Sequence, residues 1–148
     1  MPGKPLRRTL LTAVILLAIV SPPLSPLHAA AAPSALANET AWELSLSAAK
    51  AVYDSKSACF VDARSEYAYY KLHIKGATSL SSSRFDEQYP DFRKKQALET
   101  PIVVYCAEVN CGKARHVAKK LRKNGYRNVR VFSGGLIEWS QARFPVEG

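Results

Sequence analysis

Short apolar runs alternate with amphipathic stretches from about residue 42 to the end of the chain. The runs at 58–61, 77–80, 101–105 and 129–132 predict strands, and 101–105 is the strongest because it is β-branched, aromatic and short. Helices are predicted over 47–53, 65–72 and 85–96, after the loop that ends near residue 112, and around Trp139. Continuous apolarity is typical of strands buried on both faces, so the pattern predicts an α/β sandwich with a mainly parallel sheet.

Local signals refine the helix boundaries. Ser47 is a candidate cap for the first helix, and the serines at 81–83 are candidates for the third. In the fourth helix, apolar residues recur at i, i+3, i+4 and i+7 from Ala114 to Leu121, which predicts one buried face. Gly125 stands where a C-terminal cap belongs.

The first 41 residues follow a different pattern. A basic start is followed by an apolar run at 10–20 and by small residues at 29–32, which is the layout of a cleavable signal peptide. The run is shorter than the roughly 20 residues that a membrane-spanning helix needs. We therefore expect a signal peptide at 1–31, cleaved between 29 and 37, a linker at 32–41 and one folded domain at 42–148. An uncleaved N-terminal membrane anchor is the alternative.

This layout predicts export to a periplasm or out of the cell, with no stable membrane insertion after cleavage.

The balance of 47% hydrophobic and 22% charged residues is enough to build a core. Cleavage would remove three cations and lower the formal net charge from +9 to +6. A basic domain suits nucleic acid, an anionic membrane or a small anion. Export, and the lack of basic runs interleaved with aromatic residues, argue against nucleic acid.

The candidate chemistry centres on Cys106, which follows the strand at 101–105 and precedes a helix. At such a position loop N–H groups and the helix dipole favour a thiolate. Lys113 and Arg115 add positive charge in the first helical turn, where cations oppose the dipole unless they hold an anion. In the alternative interpretation Cys106 is a small apolar residue that closes the strand.

Four motifs, in order along 42–148, resemble the rhodanese family. They are a strand followed by Asp-x-Arg at 60–64, Tyr67 with His-Ile-Lys-Gly-Ala at 73–77, the strand that leads to Cys106, and a closing segment of Gly125, Gly134, Gly135 and Trp139. The resemblance implies a rhodanese-like three-layer sandwich with a central sheet of about five strands.

The resemblance also implies sulfurtransferase activity. In this family a cysteine thiolate takes a sulfane sulfur from a small anionic donor such as thiosulfate, becomes a persulfide, and passes the sulfur to cyanide or a thiol. This is covalent catalysis, and it needs neither a metal nor an organic cofactor. The catalytic residue implied here is Cys106. The substrate-binding loop implied here consists of Ala107, Glu108, Val109, Asn110, Cys111, Gly112 and Lys113, together with Arg115.

The loop departs from the family pattern in length and content. It has two additional residues, so Lys113 and Ala114 take the places of the family's basic residue and serine. Glu108 adds a negative charge that would oppose a dianionic donor if it points inward. A related branch of phosphatases needs an arginine where this chain has Gly112, which argues against phosphatase activity.

Cys111 is a candidate resolving thiol that could attack a persulfide on Cys106 or protect its thiolate; otherwise it is a buried small residue. The alternatives to an enzyme are therefore a persulfide carrier or thiol-disulfide module using both cysteines, and a non-catalytic interaction domain. Metal binding is not expected, because Cys59 is predicted within a strand and no histidine has ligand spacing in the loop.

Several other residues are expected to be structural. Asp62 and Arg64 are interpreted as fixing a strand end near the site by hydrogen bonds. Cys59 is expected in the core, and Tyr105 and Trp139 in the core or in the pocket wall. His73 is expected to be structural and not a general base, and His116 is expected on the surface of its helix.

Overall fold

The computed structural model describes residues 42–109 and 111–148, together with Met1 and Gly3. The predicted linker, the predicted signal peptide apart from those two residues, and Asn110 lie outside the described residues. Among the residues described, no helix combines the length and the apolarity needed to cross a membrane.

Strands and helices alternate along the described domain. The strands are β1 (Glu43–Leu44), β2 (Cys59–Asp62), β3 (His73–Ile74), β4 (Thr78–Ser79), β5 (Ile102–Tyr105), β6 (Val129–Phe132) and β7 (Val146–Glu147). The helices are α1 (Leu46–Asp54), α2 (Glu66–Lys71), α3 (Phe85–Lys95), α4 (Gly112–Lys123) and α5 (Gly135–Gln141).

Five of the strands form one sheet in the order β1-β6-β5-β2-β4. Every neighbouring pair in it is parallel. β5 lies at the centre between β6 and β2, and all four of its residues are buried. β3 and β7 pair antiparallel in a separate two-stranded sheet. The prediction of a mainly parallel sheet of about five strands is therefore confirmed.

Helices cover both faces of this sheet. Alternate residues of a strand point to opposite faces, so Ile102 and Val104 pack in the core shared with α3 and α4, whereas Val103 and Tyr105 pack with residues of α1 and α5. Trp139 of α5 is fully buried in the second core. The result is the three-layer sandwich that the sequence predicts.

Helix α4 shows how the apolar pattern becomes packing. The residues at the predicted spacing, Ala114, Val117, Ala118 and Leu121, are all buried. Burying a leucine side chain contributes about 1.5–3 kcal/mol, which fixes α4 firmly on β5 and β6. Asn124 is the C-cap, and Gly125 follows it with a φ of +98°, a conformation that glycine adopts easily.

The helix starts differ from expectation in two places. Ser45, not Ser47, caps α1 by accepting a hydrogen bond from the N–H of Ala48. The residue before α3 is Arg84, which makes no side-chain cap, so the prediction of a serine cap was wrong there. The strands β1, β3 and β7 were not predicted, because two residues are too few to show a periodicity.

Candidate active site

Cys106 is the first residue after β5, at the carboxyl edge of the sheet. It is 2% exposed and belongs to the core on the α4 side. The carboxyl ends of parallel strands meet at one edge, and the adjoining loops form the binding sites of such sheets. Cys106 therefore lies where an α/β sheet places its chemistry.

Cys106 and Cys111 form a disulfide, with their Sγ atoms 2.09 Å apart and their Cα atoms 6.2 Å apart. Cys111 is the N-cap residue of α4, and its backbone N–H donates to the carbonyl of Glu108 at 3.3 Å. The bond thus closes the loop over the start of the helix. Cys59 is a free thiol.

The N-terminus of α4 faces this loop without a side-chain cap among the described residues. The first N–H groups of a helix have no partner within the helix, and the dipole places about half a positive charge there. Both features stabilise an anion at the sulfur atoms of the loop, such as a thiolate or a persulfide.

The N-terminus of α5 holds the same loop from the other side. The N–H of Leu136 donates to the carbonyl of Cys106 at 2.9 Å, and the N–H of Ile137 donates to that of Ala107 at 2.9 Å. Gly135 has a φ of +65°, and a Cβ placed on it would lie 2.7 Å from the carbonyl carbon and oxygen of Ala107. Only glycine allows this close approach.

This role of α5 was missed by sequence reasoning, which used Gly134 and Gly135 only as part of a motif. A signal was available, because paired glycines directly before a helix indicate a close backbone approach. The partner of that approach, the loop after β5, follows only from the adjacency of β5 and β6.

Of the two predicted cations, Arg115 has a partner. Its Nε lies 2.9 Å from Oε1 of Glu43 on β1, and its Nη2 contacts the same oxygen. Lys113 is exposed. That these side chains supply charge to a bound anion stays a prediction, and Glu43 competes with any anion for Arg115.

Two cavities adjoin the loop. The first, of about 10 Å³, is lined by Cys106, Cys111, Arg115 and Glu108, among others, and has room for about one water molecule. The second, of about 350 Å³, is lined by Val109, Glu108 and Glu138, among others. Two carboxylates disfavour a dianion that approaches from the second cavity.

Asp62 and Arg64 lie at the end of β2, beside β5. Asp62 is fully buried and accepts from the Arg64 backbone N–H at 2.9 Å, from Nε at 3.0 Å and from Nη2 at 2.7 Å. The Arg64 guanidinium also donates to the carbonyl of Leu72 at 2.5 Å. Burial and the charge of Asp62 raise the pKa of Tyr105, whose hydroxyl oxygen accepts from the N–H of Ile74 at 3.1 Å. The hydrogen bonds of Asp62 and Arg64 therefore fix the end of β2 next to the site.

The remaining candidates lie away from Cys106. His73 is buried, contacts the Tyr69 carbonyl through Nδ1 at 2.9 Å and stacks on the Tyr69 ring. His116 is exposed. The structure places Cys59 at the start of β2, where it is only partly buried. The residues that the structure describes contain no cluster of three or more metal-ligating side chains.

Comparison with known proteins agrees with this architecture. Residues 45–142 match the model of the rhodanese-like domain. A tRNA uridine(34) hydroxylase from Erwinia tasmaniensis is 34% identical over 94 residues, which cover 62% of this chain and 26% of that protein. The chain thus spans about a quarter of the length of the curated relatives it matches.

Solved structures are similar as well. A human single-domain sulfurtransferase has a TM-score of 0.59 at 23% identity, covering 68% of this chain and 96% of its own, and at that identity the likeness shows the fold. A structure of EanB with a cysteine persulfide, in a tetrahedral intermediate state with ergothioneine, has a TM-score of 0.61 at 27% identity over 71% of this chain and 27% of its own. From the matched region and the fold together, this chain belongs to the family of rhodanese-like domains.

Proposed function

We propose that the domain is a rhodanese-type sulfurtransferase in which Cys106 carries the transferable sulfur. The observation that carries the proposal is the placement of Cys106 between the end of the central strand and the N-terminus of α4. A sulfur at this point is stabilised as an anion both before and after it accepts a second sulfur.

The reaction proceeds in two displacements. The Cys106 thiolate attacks the outer sulfur of thiosulfate, the bond between the two sulfur atoms of the donor breaks, and sulfite leaves while Cys106 becomes a persulfide. A thiophilic acceptor, cyanide or a thiolate, then attacks the outer sulfur of the persulfide and regenerates the Cys106 thiolate. Splitting one transfer into two is the advantage of covalent catalysis.

The oxidised pair has to be reduced before this cycle begins. In the disulfide, Cys106 has no free thiolate, and the cavity beside it has room for about one water molecule. Two thiols of a reductant therefore have to open the bond before Cys106 can attack a donor.

The charges around the loop favour a sulfur donor with little negative charge. Glu108 and Glu138 line the larger cavity, and Arg115 is paired with Glu43. Thiosulfate is a practical probe, whereas a less charged sulfane donor such as an organic persulfide meets less repulsion in this site. The donor class is thus a small sulfane compound, with a thiol or cyanide as acceptor.

The test is thiosulfate-to-cyanide transfer by protein that has been reduced and freed of reductant. Wild type is expected to form thiocyanate, C106S is expected to lose all turnover, and C59S is the matched control because it replaces the cysteine outside the loop. The persulfide of 2-mercaptoethanol, which carries at most one negative charge, is assayed in parallel as the less charged donor. Absence of transfer from both donors in wild type and in C111S, or equal transfer by C106S, would overturn the proposal.

The disulfide favours a second candidate, a thiol-disulfide module that uses Cys106 and Cys111. The activity of the C111S variant distinguishes the two functions. A sulfurtransferase keeps thiocyanate formation without Cys111, whereas a module that only exchanges disulfides loses its activity with either cysteine.

We also propose that the protein is exported, with an N-terminal membrane anchor as the alternative. The support is the sequence of 1–31, with its basic start, its short apolar run and its small residues. The N-terminal sequence of the protein recovered from cells tests this, since an export signal predicts a new terminus between 29 and 37. An intact N-terminus on membrane-bound protein would favour the anchor.

A further inference from the structure

We infer that Cys111 is a resolving thiol, so that the domain releases the sulfur of the Cys106 persulfide as hydrosulfide and is left with the Cys106–Cys111 disulfide. This inference rests on the proposed persulfide. It adds a second outcome for the same intermediate, reduction of the sulfane sulfur in place of its transfer, and it names a dithiol as the reductant that restarts the cycle.

The geometry points to Cys111 because the product of the step is the arrangement that the structure contains. The Cα atoms of the two cysteines are 6.2 Å apart, within the range that disulfides commonly span. Cys111 is the N-cap of α4, so it lies at the mouth of the loop, and it is less buried than Cys106. A thiol at a helix N-terminus is more readily a thiolate, the form that attacks.

The step balances in atoms and electrons. The Cys111 thiol gives up its proton as its sulfur attacks the Sγ of Cys106. The bond from that Sγ to the outer sulfur breaks, and the outer sulfur takes the electron pair and the proton and leaves as hydrosulfide. The outer sulfur is reduced and the two cysteine sulfurs are oxidised to the disulfide.

Two further exchanges with a dithiol close the cycle. One thiolate of the reductant attacks the disulfide and forms a mixed disulfide, and its second thiol displaces the protein. Both cysteines return as thiols, and the reductant leaves as an intramolecular disulfide. In sum, a sulfane sulfur and a dithiol give hydrosulfide and a disulfide.

No other cysteine in the chain suits this role. Cys59 pairs in register with Ile102, the first residue of β5, whereas Cys106 follows the last. At about 3.3 Å per strand residue the two cysteines are separated by roughly 13 Å along the strands. Cys59 is therefore a matched control for any effect of removing a thiol.

The experiment is a single turnover without oxygen. Reduced protein is freed of reductant and mixed with one equivalent of thiosulfate, and hydrosulfide, sulfite, remaining thiols and intact mass are measured. Because the leaving group of thiosulfate is sulfite, any hydrosulfide comes from the outer sulfur of the persulfide. Wild type and C59S are expected to release one hydrosulfide per chain and to lose the Cys106 and Cys111 thiols together.

In C111S and C111A, by contrast, the persulfide is expected to persist on Cys106, with one added sulfur in the intact mass. Their release of hydrosulfide should fall more than about tenfold, because attack by a thiol held next to the persulfide has a high effective concentration. Their thiocyanate yield on addition of cyanide should rise, since cyanide no longer competes with Cys111. C106S should form neither persulfide nor hydrosulfide.

The outcomes separate this inference from the proposed function. If the persulfide persists in wild type as it does in C111S, with no hydrosulfide released, Cys111 does not resolve it and sulfur transfer stands. If thiosulfate forms no persulfide on the Cys111 variants and releases neither sulfite nor hydrosulfide with wild type, the proposed function fails and the inference fails with it.

Discussion

The two ends of the central strands carry the same residue type in opposite chemical settings. Cys106, at the carboxyl end of β5, is next to the N-termini of α4 and α5 and is bonded to Cys111. Cys59, at the amino end of β2, is a free thiol whose Sγ lies 3.9 Å from Oγ1 of Thr78. Burial raises the pKa of Cys59. Helix N-termini gather at the carboxyl end of the sheet and make Cys106 a candidate nucleophile, whereas burial favours the thiol form of Cys59.

The largest effect is expected from G135A, with G76A as its matched control. Both glycines have positive φ, +65° and +79°, which costs an alanine about 1–2 kcal/mol. A Cβ at Gly76 meets nothing within 4 Å, whereas one at Gly135 overlaps the loop backbone at Ala107. The overlap should cost a further 1–3 kcal/mol or so and displace the loop that carries Cys106.

Urea denaturation and thiocyanate formation measure the two parts of this effect. G135A should lose more stability than G76A and should also lose activity, while G76A keeps its activity. Equal losses in both variants would mean that the contact between α5 and the loop contributes nothing.

The next largest effect is expected in the pH dependence of the alkylation of Cys59. In the oxidised protein Cys59 is the free cysteine, and the thiolate is the form that reacts with iodoacetamide. Because burial raises its pKa, alkylation should reach half its maximal rate above the ordinary value of about 8.5. The hydrogen bond with Thr78 lowers the pKa, so T78V should move the midpoint higher still.

Reduction of the protein provides the other half of this measurement. Opening the disulfide should add alkylation at a lower pH, because a thiol at a helix N-terminus has a lowered pKa. If the pH midpoint of alkylation of Cys59 lay at or below that of the thiols released by reduction, the predicted difference between the two ends of the sheet would be wrong.

A smaller effect is expected from E43Q. Glu43 holds the Arg115 guanidinium, and both side chains are partly exposed, so the pair contributes at most about 1 kcal/mol. Freeing Arg115 should lower the KM for thiosulfate by about twofold to fivefold without changing kcat. D54N, which removes the exposed Lys50–Asp54 pair near Cys59, is the control and should leave KM unchanged. A KM for E43Q equal to that of wild type would show that Arg115 does not reach the donor.

The smallest effect is expected from E147Q in β7, which pairs with β3 away from the loop of Cys106. Glu147 accepts a hydrogen bond from the N–H of Gly76 at 2.7 Å, and this bond lowers the pKa of its carboxyl. A lowered pKa in the folded state stabilises the protein above the unfolded value, about 4.3, and this contribution disappears as the pH falls through the lowered value.

Urea denaturation of wild type and E147Q at about pH 7 and about pH 3 tests the sign. E147Q should be slightly less stable at the higher pH, and the gap should narrow at the lower one. If the difference in stability between wild type and E147Q were the same at both pH values, the effect would come from the shape of the side chain and not from its charge.

The fold was predictable where the pattern was long enough to be periodic. Strand β6 has the predicted bounds, β5 differs by one residue, and the buried face of α4 matches its spacing. The strands β1, β3 and β7 and the cap of α3 were not predictable, because both depend on contacts that form only after the chain has collapsed. Tyr105 was expected in the core from its strand, but its hydrogen bond with Ile74 joins two distant segments.

The sequence by itself determined the parallel sandwich, the resemblance to rhodaneses and the position of Cys106 between a strand and a helix, because hydrophobic periodicity and local motifs are properties of neighbouring residues. Only the tertiary structure decided which groups surround that cysteine. The bond to Cys111 closes one loop, and it depends on how that loop folds between β5 and α4. The hydrogen bonds of α5 with the loop and the pairing of Arg115 with Glu43 bring together atoms from distant segments. These long-range contacts depend on the order of strands in the sheet, and a local pattern does not encode that order.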